Sequence, residues 1–198
     1  MIQKLSAKLA RNLISIGKLQ NVSESVLCYG CELILTSVIG LLLLIILSLL
    51  IHRPLAWIFF VISFAPHRTS AGGYHADTHT RCYMVTSTMF LVGTSIAYGI
   101  TWSRYSYLLI SFFSALLVSL LAPVAATNKP LSPKRHKTNR IRSLLLAIFN
   151  MLLAILLLIV NTEYRAANMY YSGILFAAIS LIIGKIKLLL KGEKNNEA

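Results

Sequence analysis

The chain has 198 residues, 57% of them hydrophobic and 13% charged, with 19 lysines and arginines against six acids and a formal net charge of +13. A water-soluble domain of this length could not hide so much apolar side chain, so the composition excludes one and makes the bilayer the natural solvent. The charge excess does not indicate nucleic acid either, because the cations fall in the gaps between apolar runs, as an orientation signal does.

In chain order, Ile2, Leu5, Leu9, Leu13 and Ile16 fall within one stripe at 100° steps, with Lys4, Lys8, Arg11 and Lys18 opposite. This predicts an interfacial amphipathic helix in 1–31 that anchors on anionic lipid and can help hold a substrate of similar character. Asn21 and Ser23 supply a break and a helix cap. Thirty-two mostly polar or amphipathic residues precede the first long apolar run, so no cleaved signal peptide is expected and the first span stays.

Apolar runs follow at 33–51, 82–101, 105–126, 144–160 and 170–186, each crossing or nearly crossing a hydrocarbon core of about 30 Å. A sixth, 55–65, gives roughly 16 Å of helix, and must borrow flanking residues or enter as a re-entrant piece. Pro66 is expected to end it, and Gly72 and Gly73 to permit conformations and close approaches that other residues resist. A new helix is expected from Thr78 or Thr80. Pro130, Pro133 and six cations without an acid predict an extended, solvated segment at 127–143.

The fold class is therefore an all-α polytopic membrane bundle of about six segments, expected as a single membrane domain over 1–198. Spans one to four occupy 32–126, with a polar loop at 66–82. The basic loop covers 127–143, spans five and six 144–186, and a tail 187–198. Cation clusters at Lys4 to Lys18, Lys129 to Arg142 and Lys185 to Lys194 should face the cytoplasm. Six crossings then put both termini and the polar loop there, leaving Arg53, Arg104 and Arg165 outside. Cys28, Cys31 and Cys82 fall at or near that side, where thiols are usually reduced.

The polar loop carries the chemistry. Between His67 and Cys82 stand His67, Arg68, His75, Asp77, His79, Arg81 and Cys82, a concentration of ionisable groups between apolar spans that points to function. A cysteine attacks an amide carbonyl as thiolate, and a nearby histidine can take its proton and return it to the leaving amine. On one continuous helix His75 would lie about 10.5 Å along the axis from Cys82, so it must sit on a turn that folds back. His79 shares a helix face with Cys82 and needs no such fold. Spacing leaves both open as the base.

Arg68, Gly73, His75 and Cys82 stand at the spacing Arg-x4-Gly-x-His-x6-Cys, which resembles the accessory gene regulator protein B (AgrB) family. The surrounding Ala71-Gly72-Gly73-Tyr74-His75-Ala76 and the stretch from Ala122 through Pro123 and Lys129 to Pro130 are also similar to that family. The resemblance implies a cysteine endopeptidase of the bacterial cytoplasmic membrane that trims a quorum-sensing propeptide and closes it into a thiolactone or lactone. It assigns Cys82 as nucleophile and His75 as base, with Arg68 and Gly73 in support, and implies a homodimer. It implies no cofactor and no metal.

Beside this assignment, Arg68 is expected to hold a substrate carboxylate or developing negative charge, and amides near Gly72 and Gly73 to bind the oxyanion. Lys129, Lys134, Arg135 and Lys137 can draw an acidic propeptide tail, beyond fixing topology. Two other readings stand beside the peptidase: a metallopeptidase with zinc on His75, His79 and Cys82, and a peptide exporter without protease activity. The first lacks the His-Glu-x-x-His arrangement, and the second lacks charged spans and an inverted repeat. Cys28 and Cys31 have no second pair and read as small packing residues.

Overall fold

The computed structural model describes residues 2–15, 23–74, 76, 78–124, 132–160 and 165–196, with the backbone alone for Arg104 and 191–196. Seven helices and no strand occur among them: α1 (Ile2–Ser15), α2 (Glu24–Leu50), α3 (Ala56–Ser70), α4 (His79–Gly99), α5 (Arg104–Leu121), α6 (Pro133–Val160) and α7 (Arg165–Asn196). The all-α expectation holds. In lipid a backbone must satisfy its own polar groups, and the helix does so within one segment. The chain divides into two compact units, Met1–His52 and Arg53–Ala198.

In the first unit α1 packs on α2. The face that does so is not the leucine stripe but the small residues beside it, since Ser6 and Ala10 are buried and Leu5, Leu9 and Leu13 are exposed. The leucines are left for an apolar surrounding, as an interfacial helix requires. Ile16 and Lys18 lie outside the described residues. Arg11 and Glu24 stand 3.8 Å apart, both well exposed, a pair worth little in stability. α2 starts well before residue 33, with Glu24 in its first turn, where a carboxylate suits the helix dipole. Its Leu33, Ile34, Val38, Leu42 and Ile46 face outward; Cys28 and Cys31 are free thiols, Cys31 buried and Cys28 half-buried.

In the second unit α7 is the central post, packed against α3, α4 and α5, while α6 packs on α5 and α3. The approach is close because α7 presents small residues at heptad spacing: Gly173, Ala177, Ser180 and Gly184. A Cβ at Gly173 would collide with the Ser63 hydroxyl of α3, and one at Gly93 of α4 would press on Ser172 and Phe176 at 3.2 Å. Aromatic side chains fill the rest. Phe60 stacks on Phe64 at 5.1 Å and meets Phe90 edge-on at 5.5 Å, and Tyr107 stacks between Trp102 and Tyr171 at 6.0 and 5.0 Å.

Among the described residues three helices, α2, α6 and α7 through Leu190, are both long and apolar enough to cross a membrane. α5 is apolar but shorter, with Tyr105–Leu121 as its apolar part. α4, at 21 residues, has length for about 31 Å but carries Thr86, Ser87, Thr88, Thr94 and Ser95. Arg53 and Arg165, expected on one side, meet over the Tyr98 ring at 4.5 and 5.9 Å from its centroid.

Two expectations about segment ends are corrected. Pro66 does not end its helix: α3 continues through it to Ser70. The proline removes the N–H that would bond Ile62 O, and the helix runs on with that one bond missing; beyond it, Ser70 Oγ and Thr69 Oγ1 donate to Pro66 O at 2.7 and 3.1 Å. The basic stretch is not extended over 133–143, because α6 begins at Pro133. Ser132 accepts from Arg135 N at its hydroxyl and from His136 N at its carbonyl, and proline fits a first helical position. Arg140 then donates to the carbonyls of Ala122 and Ser119, both at 3.3 Å, closing the C-terminal end of α5. Residues 125–131, and with them Lys129, lie outside the described residues.

Candidate active site

The loop between α3 and α4 is shaped by its glycines. Gly72 and Gly73 have φ of 81° and 123°, conformations that L side chains rarely adopt. Gly72 lies directly against Val124 O, with Val124 N donating to Ala71 O at 2.9 Å in an isolated bridge. At Gly73 a Cβ would stand 2.8 Å from Ser180 Oγ, 3.0 Å from Ser180 O and 3.1 Å from Arg68 Nη1. From the other side, a Cβ at Gly184 would come within 2.6 Å of Tyr74 N and 2.7 Å of Gly73 O. Glycine faces glycine, and the loop backbone rests directly on α7.

Once there it is held by hydrogen bonds. Tyr74 N donates to Ser180 O at 2.7 Å and shares its proton with Ser180 Oγ at 3.2 Å. Arg68, on the last turn of α3, donates through Nη1 to Ser180 Oγ at 2.7 Å and through Nη2 to Tyr74 O. The Tyr74 ring carries Lys187 Nζ at 5.1 Å from its centroid.

α4 starts where the sequence indicates, with Thr78 as N-cap accepting from Arg81 N at 3.3 Å. Cys82 follows one turn later, a free and half-buried thiol. It lines a recess with Phe64, Arg68, Tyr74, Ala76, Val85, Thr86, Met89 and Ser180, enclosing a cavity of about 10 Å³, roughly what one water molecule occupies. Of the expected residues the structure thus brings together Arg68, Gly73 and Cys82. His75 and Asp77 lie outside the described residues, but Tyr74 and Ala76, the two chain neighbours of His75, both line the recess. His79, the first residue of α4, is exposed. Lys134, Arg135 and Lys137 project as exposed cations from the first turns of α6. Among the described residues no three of His, Cys, Asp and Glu cluster to hold a metal, while the zinc set proposed from sequence includes His75.

Two features were not anticipated. Ser180 sat inside an apolar run, where only the spacing Ser180-x3-Gly184 marked a close-packing face. His67 enters no reaction read from the sequence, yet it is buried, its Nδ1 donating to Ser63 O at 2.8 Å and its Nε2 accepting from Asn150 Nδ2 at 2.9 Å. Asn150 Oδ1 in turn accepts from Tyr170 OH at 2.7 Å, and Asn150 O accepts from Tyr171 OH and Ser111 Oγ at 3.1 and 3.2 Å. A neutral imidazole satisfies both contacts, and the chain of bonds joins α3, α5, α6 and α7 one residue before Arg68.

The fold and the recess define the class: an α-helical membrane protein in which a free thiol shares a recess with a half-buried arginine, beside a glycine loop clamped to the central helix. The chain belongs to the Accessory gene regulator B family, whose model matches residues 2–183. It is 26% identical over 203 residues to a putative AgrB-like protein of Halalkalibacterium halodurans, covering all of this chain and 98% of the relative. The Accessory gene regulator protein B of Staphylococcus intermedius is 25% identical over 181 residues, 91% of this chain and 83% of the relative. A putative AgrB-like protein of Listeria innocua is 28% identical over 195 residues, 98% and 94% of the two chains. No solved structure matches the chain.

Proposed function

We propose that this protein is a membrane cysteine endopeptidase that removes the C-terminal tail of a short quorum-sensing propeptide and cyclises what remains. One observation carries the reading: Cys82 shares a recess with Arg68 and with the residues on either side of His75. Family membership supports it, and so does the glycine pair, whose positive φ values are of the kind that allows the fold-back a His75 base requires.

In this reading His75 takes the Cys82 proton, and the sulfur attacks the scissile carbonyl to form a carbon–sulfur bond. His75 then protonates the departing amine as the carbon–nitrogen bond breaks, leaving a thioester. A cysteine thiol or serine hydroxyl within the bound propeptide attacks that thioester, giving its proton to His75 and releasing the Cys82 sulfur. The product is a thiolactone or lactone, with no nucleotide consumed. Ring closure competes with water, and the narrow recess among Phe64, Val85 and Met89 leaves little room for it. A peptide needs the recess to widen.

Arg68 in this reading holds a substrate carboxylate or the developing charge, and amides at Gly72 and Gly73 serve the oxyanion. Lys129, Lys134, Arg135 and Lys137 draw in the acidic tail. The reading extends to the bacterial cytoplasmic membrane, cytoplasmic termini and site, and a homodimer. The test uses a synthetic propeptide with an amphipathic start, a central cysteine or serine and an acidic tail, with purified protein in detergent. Cleavage and cyclisation that vanish in Cys82→Ala, resist chelator and are lost on thiol alkylation are expected. Full cleavage by Cys82→Ala would refute the peptidase, chelator sensitivity would favour zinc, and an intact peptide with wild-type protein would favour the exporter.

A further inference from the structure

Between the end of α3 and the start of α4 the described residues form no helix, and they carry two glycines at positive φ. A base in such a loop is useful only if something external fixes it. Ser180 is in position to do so. It is nearly inaccessible, it lies in the middle of the central helix, and its hydroxyl and carbonyl both accept from Tyr74 N. The same hydroxyl accepts from Arg68 Nη1, while Arg68 Nη2 donates to Tyr74 O.

That carbonyl belongs to the peptide group through which the chain passes into residue 75. A peptide group is planar, so a grip on its oxygen together with the preceding N–H leaves few torsions between the clamp and the imidazole. A misplacement of about 1 Å in a catalytic group can cost on the order of 100-fold in rate. We propose that Ser180 is a positioning residue for the Cys82–His75 pair, acting through the Arg68 guanidinium and the Tyr74 backbone; the proposal rests on the peptidase reading above. Arg68 has five N–H donors and spends one from each terminal nitrogen on the clamp, so its role toward substrate is retained. Gly73 and Gly184 are glycines because the clamp closes only if both backbones touch.

The test reads the pair directly and needs no substrate. In protein purified in detergent, with Cys28 and Cys31 replaced by serine, the alkylation of Cys82 by iodoacetamide is followed at pH 7 and at pH 10. If His75 activates the thiol, His75→Ala slows the pH 7 rate about tenfold or more and leaves the pH 10 rate within about twofold. Ser180→Ala, a nearly isosteric change, is expected to reproduce that pattern, and to add nothing when combined with His75→Ala. Ser172→Ala removes another buried hydroxyl of α7, one that donates to Met169 O, and is expected to leave both rates at the wild-type values. Should His75→Ala match wild type, the pairing itself and the peptidase reading fall. Should His75→Ala slow the reaction while Ser180→Ala matches wild type, the positioning role alone falls. Equal slowing by Ser172→Ala would also overturn it, by showing a general loosening of the helix.

Discussion

Replacing Asn150 with leucine tests how α3 is held in register. The side chain is 1% exposed and bridges two groups, donating to His67 Nε2 and accepting from Tyr170 OH. Leucine has nearly the same volume, so the change adds little cavity and removes two hydrogen bonds, leaving a buried imidazole nitrogen and a half-buried phenol without those partners. In a water-soluble core each orphaned group would cost about 1–3 kcal/mol. In a bilayer the unfolded reference also finds partners, and interhelical bonds average about 0.6 kcal/mol with a maximum near 1.7. Two bonds at the membrane figure give roughly 1–3 kcal/mol. The assay is reversible unfolding in bicelles, followed by tryptophan fluorescence, with His67→Leu and the double variant closing a cycle. Removing both partners should cost less than the sum of the single changes, because the double variant orphans fewer groups. A loss below about 0.5 kcal/mol for Asn150→Leu, or strict additivity in the cycle, would refute the idea that this chain of bonds fixes α3 and the arginine that follows.

The glycine contact makes a second prediction. Gly184→Ala places a methyl within 2.6–2.7 Å of the Gly73 and Tyr74 backbone, so the loop must lift from α7. Propeptide cleavage should fall by about 100-fold for a displacement of about 1 Å, while Gly99→Ala, which meets nothing within 4 Å, should leave it unchanged. Neutralising Lys134, Arg135 and Lys137 together, all exposed, should weaken capture of an acidic-tailed peptide at low salt, with the difference from wild type vanishing in about 1 M salt. Unchanged affinity together with unchanged protease accessibility of the termini in vesicles would leave those cations without either role.

Much of this protein is legible from its sequence, and the reason is local. Apolar runs long enough for a bilayer must be helical because no other open segment satisfies its backbone in lipid, so fold class follows from composition and run length alone. Arg68, Gly73 and Cys82 stood out in one short stretch because their spacing resembles the family's pattern, and the Thr78 cap because a threonine precedes the apolar run. The ends of α3 and α6 were misread where one residue type was allowed to decide. Pro66 was expected to stop a helix that runs on with one backbone bond missing, and six cations were expected to extend a segment that Ser132 and Pro133 start as a helix.

What the tertiary structure alone decided is which residues meet across more than a hundred positions of chain. Ser180 and Gly184 look like ordinary members of an apolar span, and nothing in their local pattern says that an arginine at 68 and the backbone at 73 and 74 will close on them. Asn150, a lone polar residue in its apolar span, likewise finds His67 only when the helices pack. Such pairings are set by how faces of several helices fit together at once, a property of packing geometry that periodicity along one segment does not contain.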